Sequence, residues 1–243
     1  MSVHDELDST NAEATRLARA GGAHGSVVVA EHQRAGRGRL DRRWESPPRS
    51  ALTFSVVWRP PAPVECWSWL PLLTGYAVRE ALLALGVQAQ LKWPNDVLID
   101  ERKVAGVLVE QVETAQGSAA IVGVGLNVSM TEEELPVSTA GSLALAMGNA
   151  PDRTELLLAL LAALAASYAE WLAEADAGSP GLRAAYRTAC STIGRTVRAE
   201  LPDGHSLIGR ATGVDARGRL VLATATGSCT IGAGDVVHIR PHE

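Results

Sequence analysis

The sequence has very little lysine. Of its 243 residues only Lys92 and Lys103 are lysine, and arginine supplies the other 20 of the 22 basic side chains. Lysine is a compact point charge and arginine is a broad planar fork, so the two are not interchangeable. Two neighbouring lysines indicate either chance retention under a compositional bias or a site that needs an ammonium group against anionic oxygens.

Other scarcities exclude whole classes of protein. The single phenylalanine, Phe54, predicts an aliphatic core. Three distant cysteines exclude a disulfide scaffold and a zinc site, and reduced thiols without a signal peptide predict a cytoplasmic protein. We expect no membrane span, since no stretch is long and apolar enough; the closest, 156–172, carries Ser167, Tyr168 and Glu170. A net charge of −5 argues against a nucleic-acid binder.

Periodicity predicts the elements and divides the chain in two. Helices are predicted at 10–21, 65–85, from Asp152 to about 171, and at 180–190. Strands are predicted at 27–30, 52–58, 88–93, 97–99, 103–112 and 119–128. We expect Asn11 or Thr10 to cap the first helix. After Gly194, short β-rich runs predict a small five-stranded barrel or sandwich, so the domains are 1–192 and 193–243. Irregular alternation of helices and strands in the first favours an α+β fold.

A basic glycine-rich segment, residues 34–44, stands out in this acidic chain. Gly36 and Gly38 allow close approach of the backbone to a ligand, Arg37 and Arg39 can pair with phosphate or carboxylate oxygens, and Trp44 offers a flat face for stacking. The segment is a solvated charged loop, an RNA-binding element or a flap over a small phosphorylated ligand. Net acidity and the flanking strand favour the flap.

Three further segments carry chemistry. Residues 8–11, Asp-Ser-Thr-Asn, are typical either of helix capping alone or of a helix N-terminus that binds a polar group. Residues 92–96, Lys-Trp-Pro-Asn-Asp, combine a cation, an aromatic ring, a turn and a carboxylate. Gly123 and Gly125 alternate in a strand, which indicates close approach by a ligand or another backbone.

Taken in order, these segments resemble the biotin protein ligase family, which attaches biotin to carboxylase carrier domains. The matching segments are Asp8–Asn11, Glu31–Gln33, Gly36–Arg39, Trp44 with Ser46 and Pro47, Lys92–Asp96, Lys103–Gly106, Gly123–Asn127 and Gly234–Val237. Each is weak alone, whereas the ordered set spans nearly the whole chain and is highly specific.

The resemblance implies a fold and a reaction. The fold is a mixed-sheet α+β catalytic domain of the class II synthetase and biotin–lipoyl ligase type, with a small SH3-like C-terminal barrel. Biotin and ATP, with Mg²⁺, would give biotinyl-5′-AMP, from which biotin passes to a lysine of a biotin carboxyl carrier domain.

Some members of the family carry an N-terminal DNA-binding domain and act as repressors. The Ser-Thr-Asn motif begins at residue 9, so we expect no such domain and no repressor role. Relatives often pair through the large sheet, which makes a homodimer an open option.

The resemblance also assigns the site. It implies that Lys103, Arg37 and Arg39 are catalytic, with Lys103 bridging the biotin carboxylate and the α-phosphate. The residues implied to bind biotin are Ser9, Thr10, Asn11, Gln33, Gly36, Arg37, Gly38, Arg39, Lys103, Gly106 and Gly123. Those implied to bind ATP or the adenylate are Arg37, Arg39, Trp44, Lys92, Asn95, Asp96, Lys103, Gly125, Asn127 and Arg240. Asp96 is the candidate Mg²⁺ ligand, since Mg²⁺ prefers one or two carboxylates plus substrate phosphates.

One departure and two rivals remain. Leu40 and Asp41 fall where many relatives have small or basic residues, which leaves the closure of the flap open. The nearest rival is a lipoate–protein ligase or octanoyltransferase, which needs a long apolar slot; the Gly-Arg-Gly-Arg and Lys-Trp-Pro-Asn-Asp segments favour biotin. A nucleic-acid-binding module built from the arginine-rich loop and the small barrel is the rival from another class.

Overall fold

The structure, a computed structural model, describes residues 1–175, 179–201, 204–232 and 235–238. The helices are α1 (Thr10–Arg19), α2 (Leu70–Ala84), α3 (Leu143–Met147), α4 (Arg153–Glu174) and α5 (Pro180–Ala189), with a 3-10 helix at Val64–Trp69. The strands are β1 (Ser2–His4), β2 (Ser26–Ala30), β3 (Gly36–Arg37), β4 (Arg43–Trp44), β5 (Ala51–Trp58), β6 (Gln90–Lys92), β7 (Asp96–Ile99), β8 (Arg102–Thr114), β9 (Gly117–Asn127), β10 (Thr196–Glu200), β11 (Ser206–Val214), β12 (Leu220–Thr224), β13 (Gly227–Ile231) and β14 (Asp235–His238).

The strands form two main sheets. Seven of them make a mixed sheet in the order β1-β2-β5-β9-β8-β7-β6, in which β1 runs parallel to β2 and the other neighbours are antiparallel. Five make an antiparallel sheet in the order β13-β12-β11-β10-β14, and β3 pairs with β4 in a short hairpin. The predicted α+β class with a small C-terminal β domain is confirmed. The predicted division at residue 192 falls between α5 and β10.

The two faces of the large sheet bury different partners, because side chains alternate along each strand. On one face, residues such as Phe54 and Val122 belong to the main core with α2 and α4. On the other face, Val28, Val57 and Ile121 pack against α1 in a smaller cluster. Farther along this second face, the strand register aligns Ser55, Gly123 and Leu108, and the candidate site lies there.

Several predicted helix boundaries shift for local reasons. Ser9 occupies the N-cap position of α1 without a side-chain cap bond, so the prediction that Asn11 or Thr10 caps this helix was wrong. The predicted helix 65–85 is split into the 3-10 turn and α2, because Pro71 has no N–H to continue an α-helical ladder. Asp152 does cap α4, accepting hydrogen bonds from two backbone N–H groups.

Helix α4 is long and apolar enough, by length and composition alone, to cross a membrane. The prediction that no segment reaches that threshold was therefore wrong. In the structure one side of the helix, including Leu160, Leu164 and Trp171, is buried in the main core, and α4 packs against α2. A core helix passes the same test of length and composition, so the result is weak evidence for a membrane span.

The C-terminal sheet is docked onto the large domain through a turn. The indole N–H of Trp69 donates to the carbonyl of Ala216 at 2.8 Å, and that of Trp93 donates to the carbonyl of Gly218 at 3.0 Å. The Ser68 hydroxyl donates to the carbonyl between them, that of Arg217. Apolar side chains of both sheets belong to one continuous hydrophobic cluster. Trp93, predicted as part of a ligand-binding segment, is thus a buried anchor for the C-terminal domain.

Candidate functional site

The N-terminus of α1 presents buried polar side chains to the sheet. Thr10 and Asn11 are 4% and 3% exposed. The Gln33 side-chain oxygen accepts from the backbone N–H of Thr10 at 2.7 Å and lies 3.1 Å from its hydroxyl. The Asn11 amide donates to Glu110 at 2.7 Å and accepts from the hydroxyl of Ser55 at 2.6 Å. These side chains form hydrogen bonds with residues of other elements, so helix capping alone does not account for them.

Glycines on β8 and β9 make room for side chains of the protein itself. A Cβ at Gly123 would lie 2.1 Å from Oδ1 of Asn11, and one at Gly125 would lie 2.4 Å from the Trp44 ring. A Cβ at Gly106 would lie 3.3 Å from the same ring and 3.1 Å from Nζ of Lys103. The close approach expected at the alternating glycines is made here by Asn11 and Trp44.

The basic loop is a hairpin that lies on the sheet. Strands β3 and β4 are joined by a turn at Leu40 and Asp41, whose φ angles are 54° and 57°, and the Arg42 N–H donates to the Arg39 carbonyl. Positive φ at both central residues is the pattern of a type I′ hairpin turn, which favours Asn-Gly. The departure from the family pattern therefore falls at the tip of the hairpin, where non-glycine residues adopt the left-handed conformation.

Polar contacts and the indole hold this loop against the sheet. The Arg37 guanidinium donates to the carboxylate of Glu110 at 3.0 Å, and that of Arg39 donates to the side-chain oxygen of Asn95 at 3.1 Å. The Trp44 ring packs against the glycine positions of β8 and β9. The loop therefore contacts the sheet domain at Arg37, Arg39 and Trp44.

Lys103 and Asp96 form an ion pair inside the site, with 2.6 Å between Nζ and Oδ1. Their side chains are 36% and 21% exposed. A register shift between β7 and β8 lies next to this pair. The Asn95 amide donates to the carbonyl of Val107, which fixes the turn that presents Asp96. The ion pair therefore connects β8, which carries Lys103, to the start of β7, which carries Asp96.

One cavity with an empty volume of about 730 Å³, part of it open to solvent, collects these side chains. The predicted residues that line it are Ser9, Thr10, Asn11, Gln33, Arg37, Gly38, Arg39, Trp44, Asn95, Asp96, Lys103, Gly106, Gly123 and Gly125. Its lining holds five cationic side chains and one carboxylate, that of Asp96. Such a lining suits an anionic ligand.

Three predicted residues lie outside the lining. Gly36 is buried in β3 against the carbonyl of Trp44. Asn127 is 4% exposed and donates to the carbonyl of Gly141 at 2.8 Å. Lys92 lies near His238 of the C-terminal domain. Burial lowers the pKa of His238 to about 4, and the nearby charge of Lys92 lowers it as well. Arg240 and Gly234 lie outside the described residues.

The donor set at Asp96 is consistent with Mg²⁺ only if substrate phosphates supply further ligands. No group of three or more His, Cys, Asp or Glu side chains able to hold a metal occurs among the described residues. One carboxylate beside a cationic cavity matches the preference of Mg²⁺ for few protein ligands plus phosphate oxygens.

Sequence reasoning missed several members of the site. The cavity is also lined by Arg42, Arg43, Val107, Leu108 and Val124. Ser55 and Glu110 contact the lining residues from behind. The sequence does give a reason to single out Ser55, because a polar residue in the apolar run of β5 needs a buried hydrogen-bond partner. Glu110 is a single carboxylate at the end of an apolar stretch, and no spacing pattern singles it out.

Comparisons with known proteins agree with this geometry. A family model described as the biotin/lipoate A/B protein ligase family matches residues 6–127, and one described as the biotin protein ligase C terminal domain matches residues 192–239. The biotin–[acetyl-CoA-carboxylase] ligase of Mycobacterium tuberculosis is 38% identical and aligns with 99% of this chain and 89% of its own length. The bifunctional ligase/repressor of Bacillus subtilis is 33% identical, with 96% and 72% covered.

A solved structure gives the same answer at the level of fold. The biotin protein ligase of Aquifex aeolicus in complex with biotin and ATP superposes with a TM-score of 0.82 at 28% identity, covering 98% of each chain. Sequence, fold and the placement of the motifs therefore agree, and the chain belongs to the biotin protein ligase family of enzymes.

Proposed function

We propose that the protein joins biotin and ATP into biotinyl-5′-AMP and then transfers biotin to a lysine of a biotin carboxyl carrier domain. The observation that carries this proposal is the convergence of Asn11, Arg37 and Lys103, from three distant parts of the chain, on one cationic cavity. The names of the relatives, a biotin–[acetyl-CoA-carboxylase] ligase and a biotin- and ATP-bound ligase structure, support the choice of substrates.

The first step needs cations because two anions must meet. An oxygen of the biotin carboxylate attacks the α-phosphorus, and the bond from that phosphorus to the pyrophosphate oxygen breaks. Two unit charges about 4 Å apart repel by about 4 kcal/mol at an effective dielectric constant of about 20. Fixed cations aimed at the reacting oxygens offset this repulsion. Lys103 is assigned to the space between carboxylate and α-phosphate, with Arg37 and Arg39 acting from the loop.

The polar end of the cavity is assigned to the ureido group of biotin. Thr10, Asn11 and Gln33 offer amide and hydroxyl groups there, and a buried polar lining rewards a ligand with matching donors and acceptors. Asn95, Asp96 and Trp44 lie on the nucleotide side, and Mg²⁺, held by Asp96 with the ATP phosphates, would supply further positive charge to the phosphates.

The second step uses the carrier lysine as nucleophile. Its neutral amine attacks the carbonyl carbon of the mixed anhydride, the bond from that carbon to the phosphate oxygen breaks, AMP leaves, and the nitrogen gives up one proton to form the amide. A loop that lies across the site keeps water from the same carbonyl. The absence of a repressor role, the cytoplasmic location and a homodimer remain predictions. Steeply salt-dependent binding of RNA would support the rival nucleic-acid-binding module.

The test is ATP–pyrophosphate exchange with Mg²⁺ and either biotin, lipoate or octanoate, followed by addition of a carrier domain. We expect exchange with biotin alone and a mass increase of the carrier by one biotin. Replacing Lys103 or Arg37 by alanine should lower the exchange rate by about 10²–10³-fold, the usual effect of removing one fixed group that stabilises developing charge.

Arg34→Ala is the matched control. Arg34 belongs to the same loop but pairs with Asp8 and Glu6 outside the cavity, so its loss should leave exchange within about twofold, as for exposed ion pairs. Unchanged exchange in both Lys103→Ala and Arg37→Ala would overturn the assigned roles, and exchange driven by lipoate would move the protein to the rival substrate class.

A further inference from the structure

Glu110 lies on β8 behind the cavity and receives two hydrogen bonds on one oxygen. Its Oε2 accepts from the Arg37 guanidinium at 3.0 Å and from the Asn11 amide at 2.7 Å. The side chains of Arg37 and Glu110 are 44% and 30% exposed. One carboxylate therefore touches both the basic loop and the N-terminus of α1.

This contact closes a circuit of hydrogen bonds. From Glu110 the contacts continue to Asn11 and then to the hydroxyl of Ser55, which lies 2.6 Å from Oδ1 of Asn11 and 2.8 Å from the hydroxyl of Thr10. Thr10 contacts the side-chain oxygen of Gln33. Gln33 directly precedes the basic loop and Arg37 lies in its first strand, so the circuit begins and ends at the start of this loop.

The charge of Glu110 fixes the direction of this circuit. An ionised carboxylate only accepts hydrogen bonds, so the Asn11 side chain must turn its NH₂ group toward Glu110 and its oxygen toward Ser55. The carbonyl of Leu108, 3.3 Å from the same NH₂ group, favours the same orientation. The orientation of a cavity-lining amide is thus imposed from outside the cavity.

We infer that Glu110 is a positioning residue that latches Arg37, and with it the basic loop, to the sheet before substrates enter, and that holds the Asn11 amide in one orientation for biotin. The assignment of biotin rests on the proposed function, whereas the latch does not. An anion in the cavity competes with Glu110 for Arg37, so substrates replace the latch by contacts of their own.

The latch is tested by chymotrypsin cleavage after Leu40, which is 50% exposed at the tip of the hairpin. In Glu110→Gln without ligands, cleavage should be about three- to fivefold faster than in the wild type, the scale of a partly exposed ion pair. Glu113→Gln is the matched control on the same strand, since Glu113 contacts Gln111 and Ser118 instead, and its cleavage rate should be unchanged.

A double-variant cycle isolates the contact. In an Arg37→Gln background, which leaves the chymotrypsin site intact, Glu110→Gln should accelerate cleavage no further. Equal cleavage of Glu110→Gln and wild type, or an undiminished effect of Glu110→Gln in the Arg37→Gln background, would overturn the latch.

Exchange kinetics test the effect on Asn11. Glu110→Gln should raise KM for biotin about three- to fivefold with kcat within about twofold, because a misoriented amide weakens binding more than chemistry; Glu113→Gln should alter neither. An unchanged KM would overturn the positioning role toward biotin. If the wild type itself shows no biotin-dependent exchange, the proposed function fails, while the cleavage experiment still decides the latch.

Discussion

A methyl group added at Gly125 would sit 2.4 Å from Cε2 of Trp44, closer than real Cβ contacts allow. Either the strand or the indole must then move, and the indole is attached to the basic loop. The space above β8 and β9 is therefore shared between the loop and the ligand. A change on the sheet is expected to reach the loop through Trp44.

We expect Gly125→Ala to lower the free energy of unfolding by about 1–3 kcal/mol, the usual cost of overpacking. Gly75→Ala is the control: it lies inside α2, where an added Cβ would be 3.6 Å from Leu91, and a helical Gly-to-Ala change gains about 0.5–1 kcal/mol. Urea unfolding of both variants provides the measurement. A Gly125→Ala protein as stable as the wild type would show that the indole does not need this space.

At this scale the sequence predicted residue types better than contacts. Alternating glycines did indicate close approach, but nothing local identifies Asn11 and Trp44 as the groups that approach, since both are far away in sequence. Glu110 was missed for the same reason. Its role exists only where β3, α1 and β8 meet.

At the scale of elements, two indoles hold one turn of the C-terminal domain. Replacing either tryptophan by phenylalanine removes one hydrogen bond to this turn, which costs about 0.5–1.5 kcal/mol. Trp93→Phe and Trp69→Phe should therefore increase hydrogen exchange of amides in β11 and β12. Trp67→Phe loses a bond to Ala62 within the large domain and serves as control. Equal protection of the C-terminal sheet in all three variants would contradict the docking role.

Strand and helix positions followed from periodicity, whereas the direction of individual side chains did not. Lys92 and Trp93 belong to a segment that reads as one binding motif, yet both face the C-terminal domain. Asn95 and Asp96, after the intervening proline, reach the cavity. Pairing of β6 with β7 and contact with the second sheet decide this, and neither is encoded within the five residues.

At the scale of the whole molecule, the junction of the two domains contains a histidine that stays neutral. His238 lies 3.0 Å from the Thr192 hydroxyl and 3.3 Å from the Arg195 guanidinium. Burial, Lys92 and Arg195 lower the pKa of His238 to about 4, and Glu101 opposes them only in part. In the unfolded chain a histidine titrates near its ordinary pKa of about 6.5.

Stability should therefore fall with acid in a defined window. Well above pH 6.5 His238 is neutral in both the folded and the unfolded protein, so its titration costs no stability there. Between about pH 6.5 and 4 the unfolded chain binds a proton at this histidine and the folded protein does not. This difference lowers the free energy of unfolding by up to about 3 kcal/mol. His238→Gln should remove that part of the pH dependence. Urea unfolding of both proteins at pH 7.5 and 5 measures it, and parallel losses in the two proteins would contradict the prediction.

The scarcity of lysine has a practical consequence. Amine-directed reagents meet only two lysine side chains in the entire polypeptide, and Lys103, 36% exposed and paired with Asp96, faces the cavity. Because the N-terminal amine and Lys92 react as well, peptide mapping after mild acetylation would monitor occupancy of the pocket through the modified fraction of Lys103, with no turnover assay required.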